Sequence, residues 1–307
     1  MQGLGWQKCI RNWVQFILIN FIKATKPIWQ SKIFLFSQFM ACEDREFLCT
    51  QKGSVYYVVM PSDVAVSRRL YIGAGNEHLK TRKALEVLAR VKNRPQRSVE
   101  TLIDVGANLG HISIPLLKDD IIKQAIGFEP DPKNFRICNA NILINNVSER
   151  FIVHNSALGA RDGEFLYFEL CEDNLGDHRI RVADSDGVYA ESKRKVIKVK
   201  SNTLDSYFPK ALPVDETLIW IDVQGYEGYV LEGASTLIAQ RIPIGFEFWP
   251  YGLERAKSFE RLFNAIKGYG YYYDLSDPQP SAKMISELKG LYQKYIKTLS
   301  GTDILVF

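Results

Sequence analysis

The chain has 307 residues, 46% of them hydrophobic and 24% charged, the proportions of an ordinary soluble globular protein. That length fits one large α/β domain with an extension, or two small domains, and can bury a sizeable core without disulfides or a structural metal. The net charge of +4 argues against a dedicated nucleic-acid or membrane surface, leaving room only for local patches.

Residues 1–50 are rich in Trp and Phe, are interrupted by Pro27, and read as a helical extension. Within it, residues 14–22 (VQFILINFI) are apolar apart from Gln15 and Asn20 and follow Lys8 and Arg11. The run is shorter than the roughly 20 apolar residues that span a bilayer, and no small-residue cleavage site follows it. It is expected to pack on the domain, with peripheral membrane contact through residues 13–22 as the other reading. No transmembrane segment is expected. Cys9, Cys42, Cys49, Cys138 and Cys171 form no Cys-x-x-Cys pair, so reduced thiols in a cytoplasmic setting are expected.

Residues 51–98 lead into the core. Two β-like runs, 54–60 and 65–72, are separated by Pro61-Ser62-Asp63 and predict a hairpin. Residues 77–92 carry Leu79, Ala84, Leu85, Leu88 and Val91 at helical spacing.

From residue 99 to 307 strands and helices alternate. Strand-like segments are 99–105, 124–129, 151–157, 218–223 and 244–248, with helical segments 111–118, 133–145 and 226–240 between most of them. Two further strand-like runs, 270–275 and 303–307, end the chain. Apolar strands alternating with helices predict a parallel sheet covered on both faces. The KRKVIKVK run at 193–200 reads as a solvated edge strand or as a phosphate-contacting patch.

The most informative stretch is 101–110, TLIDVGANLG, a buried strand running into a glycine loop with a helix directly after it. Gly106 would let the backbone turn tightly beside a ligand. Gly110 would open a helix whose free N–H groups can receive an anion. Nineteen residues later Glu129 ends the next strand, where a carboxylate can accept from both hydroxyls of a ribose. The spacing is Gly-x-x-x-Gly, without the third glycine of a dinucleotide fingerprint.

The segments DVGANLG (104–110), FEPDP (128–132) with Asn141 and Asn145 downstream, IDVQGYE (221–227) and VLEGA (230–234) resemble, in order and spacing, the successive motifs of the FkbM methyltransferase family. The resemblance covers about residues 99–307. It implies an α/β, Rossmann-like class I methyltransferase fold, a seven-stranded mostly parallel sheet with an antiparallel C-terminal strand, here preceded by the helical N-terminal extension. It also implies S-adenosylmethionine as methyl donor and a hydroxyl group as acceptor. The chain departs from the family at Trp220, where Lys is frequent, and at Gln224, where Glu is frequent.

On this reading Asp104, Gly106, Asn108, Gly110 and Glu129 hold the cofactor, and Asn155, Ser156 and Ala157 line the adenine. Asp222, at a strand's carboxyl end, contacts the cofactor or the acceptor. An alcohol must lose a proton during transfer, so a base is sought. His178, in a Gly-x-His-Arg run like one in the family, is one candidate, with substrate binding or loop structure as its other readings. Asp222 and Glu227 are the others, with a helix N-cap as the other reading of Asp222 and a first-turn carboxylate on the helix dipole as that of Glu227. Asn174, Arg179, Glu247, Trp249 and Tyr251 are expected on the acceptor side, a small molecule or glycan. Asp222, Glu227 and Glu247 could together hold a hard cation such as Mg²⁺, but three carboxylates from separate elements are a weak metal signal and no metal is assigned. The function expected is O-methylation of a sugar, glycan or secondary metabolite. The alternatives are an NAD-dependent oxidoreductase on a similar sheet and a non-catalytic S-adenosylmethionine-binding module.

Overall fold

A computed structural model describes residues 28–40, 46–95 and 98–307. The apolar run at 14–22 lies outside the described residues. Among those described, no helix is long and apolar enough to cross a membrane.

Helix α1 (Ile28–Met40) is followed by strands β1 (Leu48–Lys52) and β2 (Val55–Val59), which pair antiparallel about a turn at Gly53. Helices α2 (Val66–Ile72) and α3 (His78–Val91) come next. The hairpin therefore lies upstream of the one expected, and residues 66–72 are helix. Val66, Ser67 and Leu70 fall on one buried face, a spacing the strand reading passed over. Asp63, expected in a hairpin turn, instead accepts from the N–H groups of Ala65 and Ser67 ahead of the helix.

The core begins with β3 (Thr101–Val105), α4 (Ser113–Lys118), β4 (Gln124–Phe128), α5 (Pro132–Ile144) and β5 (Phe151–His154). An inserted group follows: β6 (Ala157–Leu158), β7 (Phe165–Leu170), β8 (Arg179–Ile180) and β9 (Lys195–Asn202). Then come α6 (Leu204–Tyr207), β10 (Thr217–Ile221), α7 (Glu227–Glu232), α8 (Ser235–Ala239), β11 (Ile244–Phe248), α9 (Pro250–Arg255) and α10 (Phe259–Ile266). The chain closes with β12 (Tyr271–Asp274), β13 (Lys283–Met284), α11 (Leu288–Thr298) and β14 (Thr302–Val306).

The main sheet runs β13-β12-β14-β11-β10-β3-β4-β5. Strands β3, β4, β5, β10 and β11 are parallel, and β14 enters antiparallel between β11 and β12. This is the class I methyltransferase arrangement with one strand more than expected. The addition is the two-residue β13 on the outer edge of β12, too short to show a period in sequence. Every residue of β10 and β14 is buried, as strands covered on both faces require.

The insertion forms a second sheet, ordered β6-β9-β7-β8. The lysine-rich run is an edge strand as expected: Lys195 to Lys200 pair on one side only, with β7, and β6 joins β9 only beyond the run, at Ser201 and Asn202. Its lysines 195, 198 and 200 are exposed.

Asn141 and Asn145 explain how the hairpin docks. Each side-chain amide accepts from and donates to one β2 residue, Asn141 with Val58 (2.6 and 3.3 Å) and Asn145 with Tyr56 (2.9 and 2.7 Å). Two amides one helical turn apart on α5 thereby satisfy the open backbone edge of β2. Strand β4 lies on one side of β3 and β10 on the other, all three parallel, so the strand order reverses there and a crevice opens at the strands' carboxyl ends.

Candidate active site

The glycine loop sits in that crevice. Gly106 and Ala107 both donate to Phe128 O at 3.0 Å, and Asp222 N donates to Val105 O at 2.9 Å. Gly106 adopts φ +92, and a Cβ there would come within 2.0 Å of Asp222 O, so only glycine fits. Asn108 N donates to Glu129 Oε2 (2.8 Å) and its side chain donates to Leu175 O (2.8 Å), tying the loop to the insertion.

A cavity of about 270 Å³ opens above the loop. One end is walled by Glu129 and Pro130 after β4, Asn134 on α5, and Ser156, Ala157 and Leu158 from the turn after β5 and from β6. The other end is walled by Asp222, Gln224 and Glu247, from the ends of β10 and β11, with Glu77 and Lys80. Asn174, Leu175 and His178 of the insertion also line it.

At the first end Glu129 is buried and accepts from the backbone N–H groups of Asn108 and Asp131, both at 2.8 Å. Burial pushes its pKa up to about 8. A carboxylate has about four lone-pair sites, so it keeps two for a ligand. Asn155 does not line the cavity. Its side chain donates to Glu129 O (2.8 Å) and Pro130 O (3.1 Å) and so fixes the turn carrying Glu129. Asp104 and Gly110 also stand behind the wall. Asp104 accepts from Ser113 Oγ at 2.5 Å, and burial lifts its pKa to about 7. Gly110, at φ +77, leaves room for Ile114 and Cys138.

At the second end Gln224, itself at φ +57, donates from one amide nitrogen to Asp222 Oδ1 and to Glu247 Oε2, each at 2.7 Å. Burial raises the pKa of both acids. For Glu247 the neighbouring Asp222 raises it further, whereas for Asp222 the Lys80 charge pulls it back. Lys80, 43% exposed at the cavity mouth, pairs with Asp303 at 3.1 Å and Glu77 at 3.4 Å. Among the described residues no group of three His, Cys, Asp or Glu is placed to hold a metal ion.

Glu227 is not on the cavity wall. Its Oε1 accepts from Val223 N (3.2 Å) and Gly225 N (3.1 Å), bracing the turn that presents Gln224, and burial pushes its pKa up to about 7. His178 lines the cavity, but its Nδ1 accepts from Cys171 N at 3.0 Å. A neutral imidazole has one accepting nitrogen, so this bond uses the lone pair a base would need. Burial lowers its pKa, against the pull of Asp131.

Three residues expected at the acceptor stand beside the insertion, off the cavity wall. Arg179 is buried among Asp177, Glu169 and Glu191 and lies 5.0 Å over the Trp249 ring. Tyr251 accepts from Val188 N (2.8 Å) and donates to Glu191 Oε1 (2.6 Å). Trp249, Tyr251 and Arg179 thus fasten the insertion to the main sheet. Trp220 faces the core at 1% exposure and lies against Gly245, away from the cavity. Sequence reasoning missed Lys80, Asn134 and His111, which all line the cavity.

The sequence profile of the methyltransferase FkbM domain matches residues 104–273. No curated protein is significantly similar to the chain in sequence. Among solved structures, methyltransferase FkbM from Methylobacillus flagellatus is 14% identical with a TM-score of 0.40, over 80% of this chain and 66% of its own, just under two thirds. M. jannaschii TYW2 in complex with AdoMet is 12% identical with a TM-score of 0.39, over 86% of each chain. A Pyrococcus abyssi tRNA (uracil-54, C5)-methyltransferase with S-adenosyl-L-homocysteine is 12% identical with a TM-score of 0.36, over 85% of this chain and 44% of its own. With more than half of its length matched, and with the sheet order and glycine loop described above, the chain belongs to the FkbM family of S-adenosylmethionine-dependent methyltransferases.

Proposed function

We propose that the protein transfers a methyl group from S-adenosylmethionine to a hydroxyl of a sugar, glycan or secondary metabolite. One observation carries this reading. A single cavity joins a nucleoside-type end at Glu129 to a carboxylate end at Asp222 and Glu247.

The residues present fit the cofactor. Asn108, His111 and Asn134 each bring a buried polar side-chain atom without a protein partner to the cavity, and such atoms call for a polar ligand. Glu129 would take the ribose hydroxyls on its two spare lone pairs, with Ser156 and Ala157 beside the adenine. Bound there, the cofactor supplies an activated methyl group on a cationic sulfur.

The acceptor's oxygen must lie about 3–3.5 Å from the methyl carbon and must shed its proton. Asp222 and Glu247 are the acids facing that end, and each keeps an oxygen not bonded to Gln224. We assign the proton to them. His178, its lone pair committed to Cys171, instead braces the insertion's own loop between β7 and β8. Hydroxyls of a polyol suit a wall of carboxylate acceptors. Family membership sets aside the oxidoreductase reading.

The described cysteines 49, 138 and 171 are free thiols, which supports a cytoplasmic setting. The test is incubation with hydroxylated acceptors. Release of S-adenosylhomocysteine that depends on the acceptor supports the reading. Cofactor binding without turnover on any acceptor would favour the non-catalytic module.

A further inference from the structure

The acceptor end holds more carboxylate than cation. Asp222, Glu247 and Asp303 project from the neighbouring strands β10, β11 and β14, where Glu247 and Asp303 face each other in register, and Glu77 stands beside them. Lys80 is shared between Asp303 and Glu77, and Arg69 is engaged by Glu77 at 2.8 Å. Among the described residues neither Asp222 nor Glu247 makes an ion pair. What they share is one amide nitrogen of Gln224, held in a left-handed backbone conformation that non-glycine residues adopt seldom. Two carboxylates fixed side by side, whose nearest cation, Lys80, is paired with Glu77 and Asp303, cannot both ionise freely.

We propose that Asp222 and Glu247, joined through Gln224, act as one proton-accepting pair. It carries a shared proton in the ligand-free protein, gives it up when a cationic ligand enters, and takes the acceptor's hydroxyl proton once methyl transfer has removed that ligand charge. The proposal rests on the function given above. In the transfer the acceptor's O–H bond breaks and its oxygen bonds the methyl carbon. The S–C bond breaks with its electron pair left on sulfur, and the proton passes to the pair. One positive charge disappears at sulfur as one proton arrives at the carboxylates, so the charge of the closed site is unchanged. The surroundings favour this exchange. Asp104 on β3 and Glu227 on α7 place two further buried carboxyls nearby, and Lys80 at the mouth is already committed to Asp303 and Glu77.

S-adenosylmethionine and S-adenosylhomocysteine share ribose, adenine and amino acid, so contacts with Glu129 cancel between them and the sulfur charge remains. Their affinities are measured by titration calorimetry at several pH values between about 6 and 8, in buffers of different ionisation enthalpy. The preference for S-adenosylmethionine should rise with pH, approaching tenfold per unit while one proton is displaced. That ligand should also release more protons than its demethylated product. In Glu247→Gln the preference should stay flat with pH. A constant preference and equal proton release in the unaltered protein would overturn the proposal even where both ligands bind, and that comparison decides alone if the variant fails to fold. Failure of S-adenosylmethionine to bind at all would instead overturn the proposed function, and this inference with it.

Discussion

Replacing Glu129 by Gln tests the cofactor end with little change in shape. The carboxylate receives two backbone N–H groups, from Asn108 and Asp131, and on the present account two ribose hydroxyls as well. An amide can accept through its oxygen only. One backbone N–H would then face the NH₂ group, and one ribose hydroxyl would lose its acceptor. Each hydrogen bond to a charged group contributes about 1.5–3 kcal/mol. At 1.4 kcal/mol per factor of ten, S-adenosylmethionine should bind roughly 10- to 150-fold more weakly. Calorimetry above pH 8, where the wild-type carboxylate is ionised, measures this directly, with a melting curve to show that the variant is folded. A folded Glu129→Gln protein with unchanged affinity would refute the ribose assignment and the geometric argument behind it.

Three further outcomes follow from the same contacts. Asn141→Ala and Asn145→Ala should each leave β2 backbone groups unpaired and cost about 1–3 kcal/mol, and the pair should speed amide exchange in residues 48–59 above all. A uniform change across the molecule would deny the docking role. Gln224→Glu replaces a donor to two carboxylates by a third carboxylate, so stability near pH 7 should fall by several kcal/mol at most, on the scale of two charge-assisted bonds; an unchanged denaturation midpoint would contradict the bridging geometry. The ligand-free protein should also melt at lower temperature as pH rises from about 5 to 8. Burial raises the folded-state pKa values of Glu129 (about 8), Glu227 (about 7), Asp104 (about 7) and Asp303 (about 6). The unfolded carboxyls ionise at about pH 4, so stability is lost from there up to each folded-state pKa, above which both states are ionised and the loss is complete. A melting temperature that rises over this interval would show the buried acids to be ionised at little cost.

Legibility in the sequence followed the range of the interactions. The loop at 104–110 and the acid at 129 could be read because strand, turn, glycine and helix start are all local, and because buried parallel strands are continuous apolar runs. Asn141 and Asn145 stood out as family positions, but their work, pairing with a hairpin more than 80 residues upstream, is tertiary. Lys80 and Asn134 carry no periodic or motif signal, and they reach the cavity only because α3 and α5 pack where they do. The reverse holds for Arg179, Trp249 and Tyr251. Polar and aromatic residues near a strand end suggest a pocket, yet here they clamp the insertion, a sheet whose register no local pattern announces. Helix α2 is illegible in sequence because β-branched and aromatic residues over a seven-residue stretch suit either state, and the turn before it, where Asp63 accepts from Ala65 N and Ser67 N, carries no periodic signal.

The central claim is transfer of methyl to oxygen. Its most direct test is the protein with S-adenosylmethionine labelled with ¹³C in the methyl group, offered sugars, oligosaccharides, hydroxylated small molecules and tRNA, with the products read by carbon NMR. The account predicts label in the methoxy region of a sugar or small-molecule product, lost in Glu247→Gln. Label on nitrogen or on a carbon of a tRNA base, with none on oxygen, would contradict it.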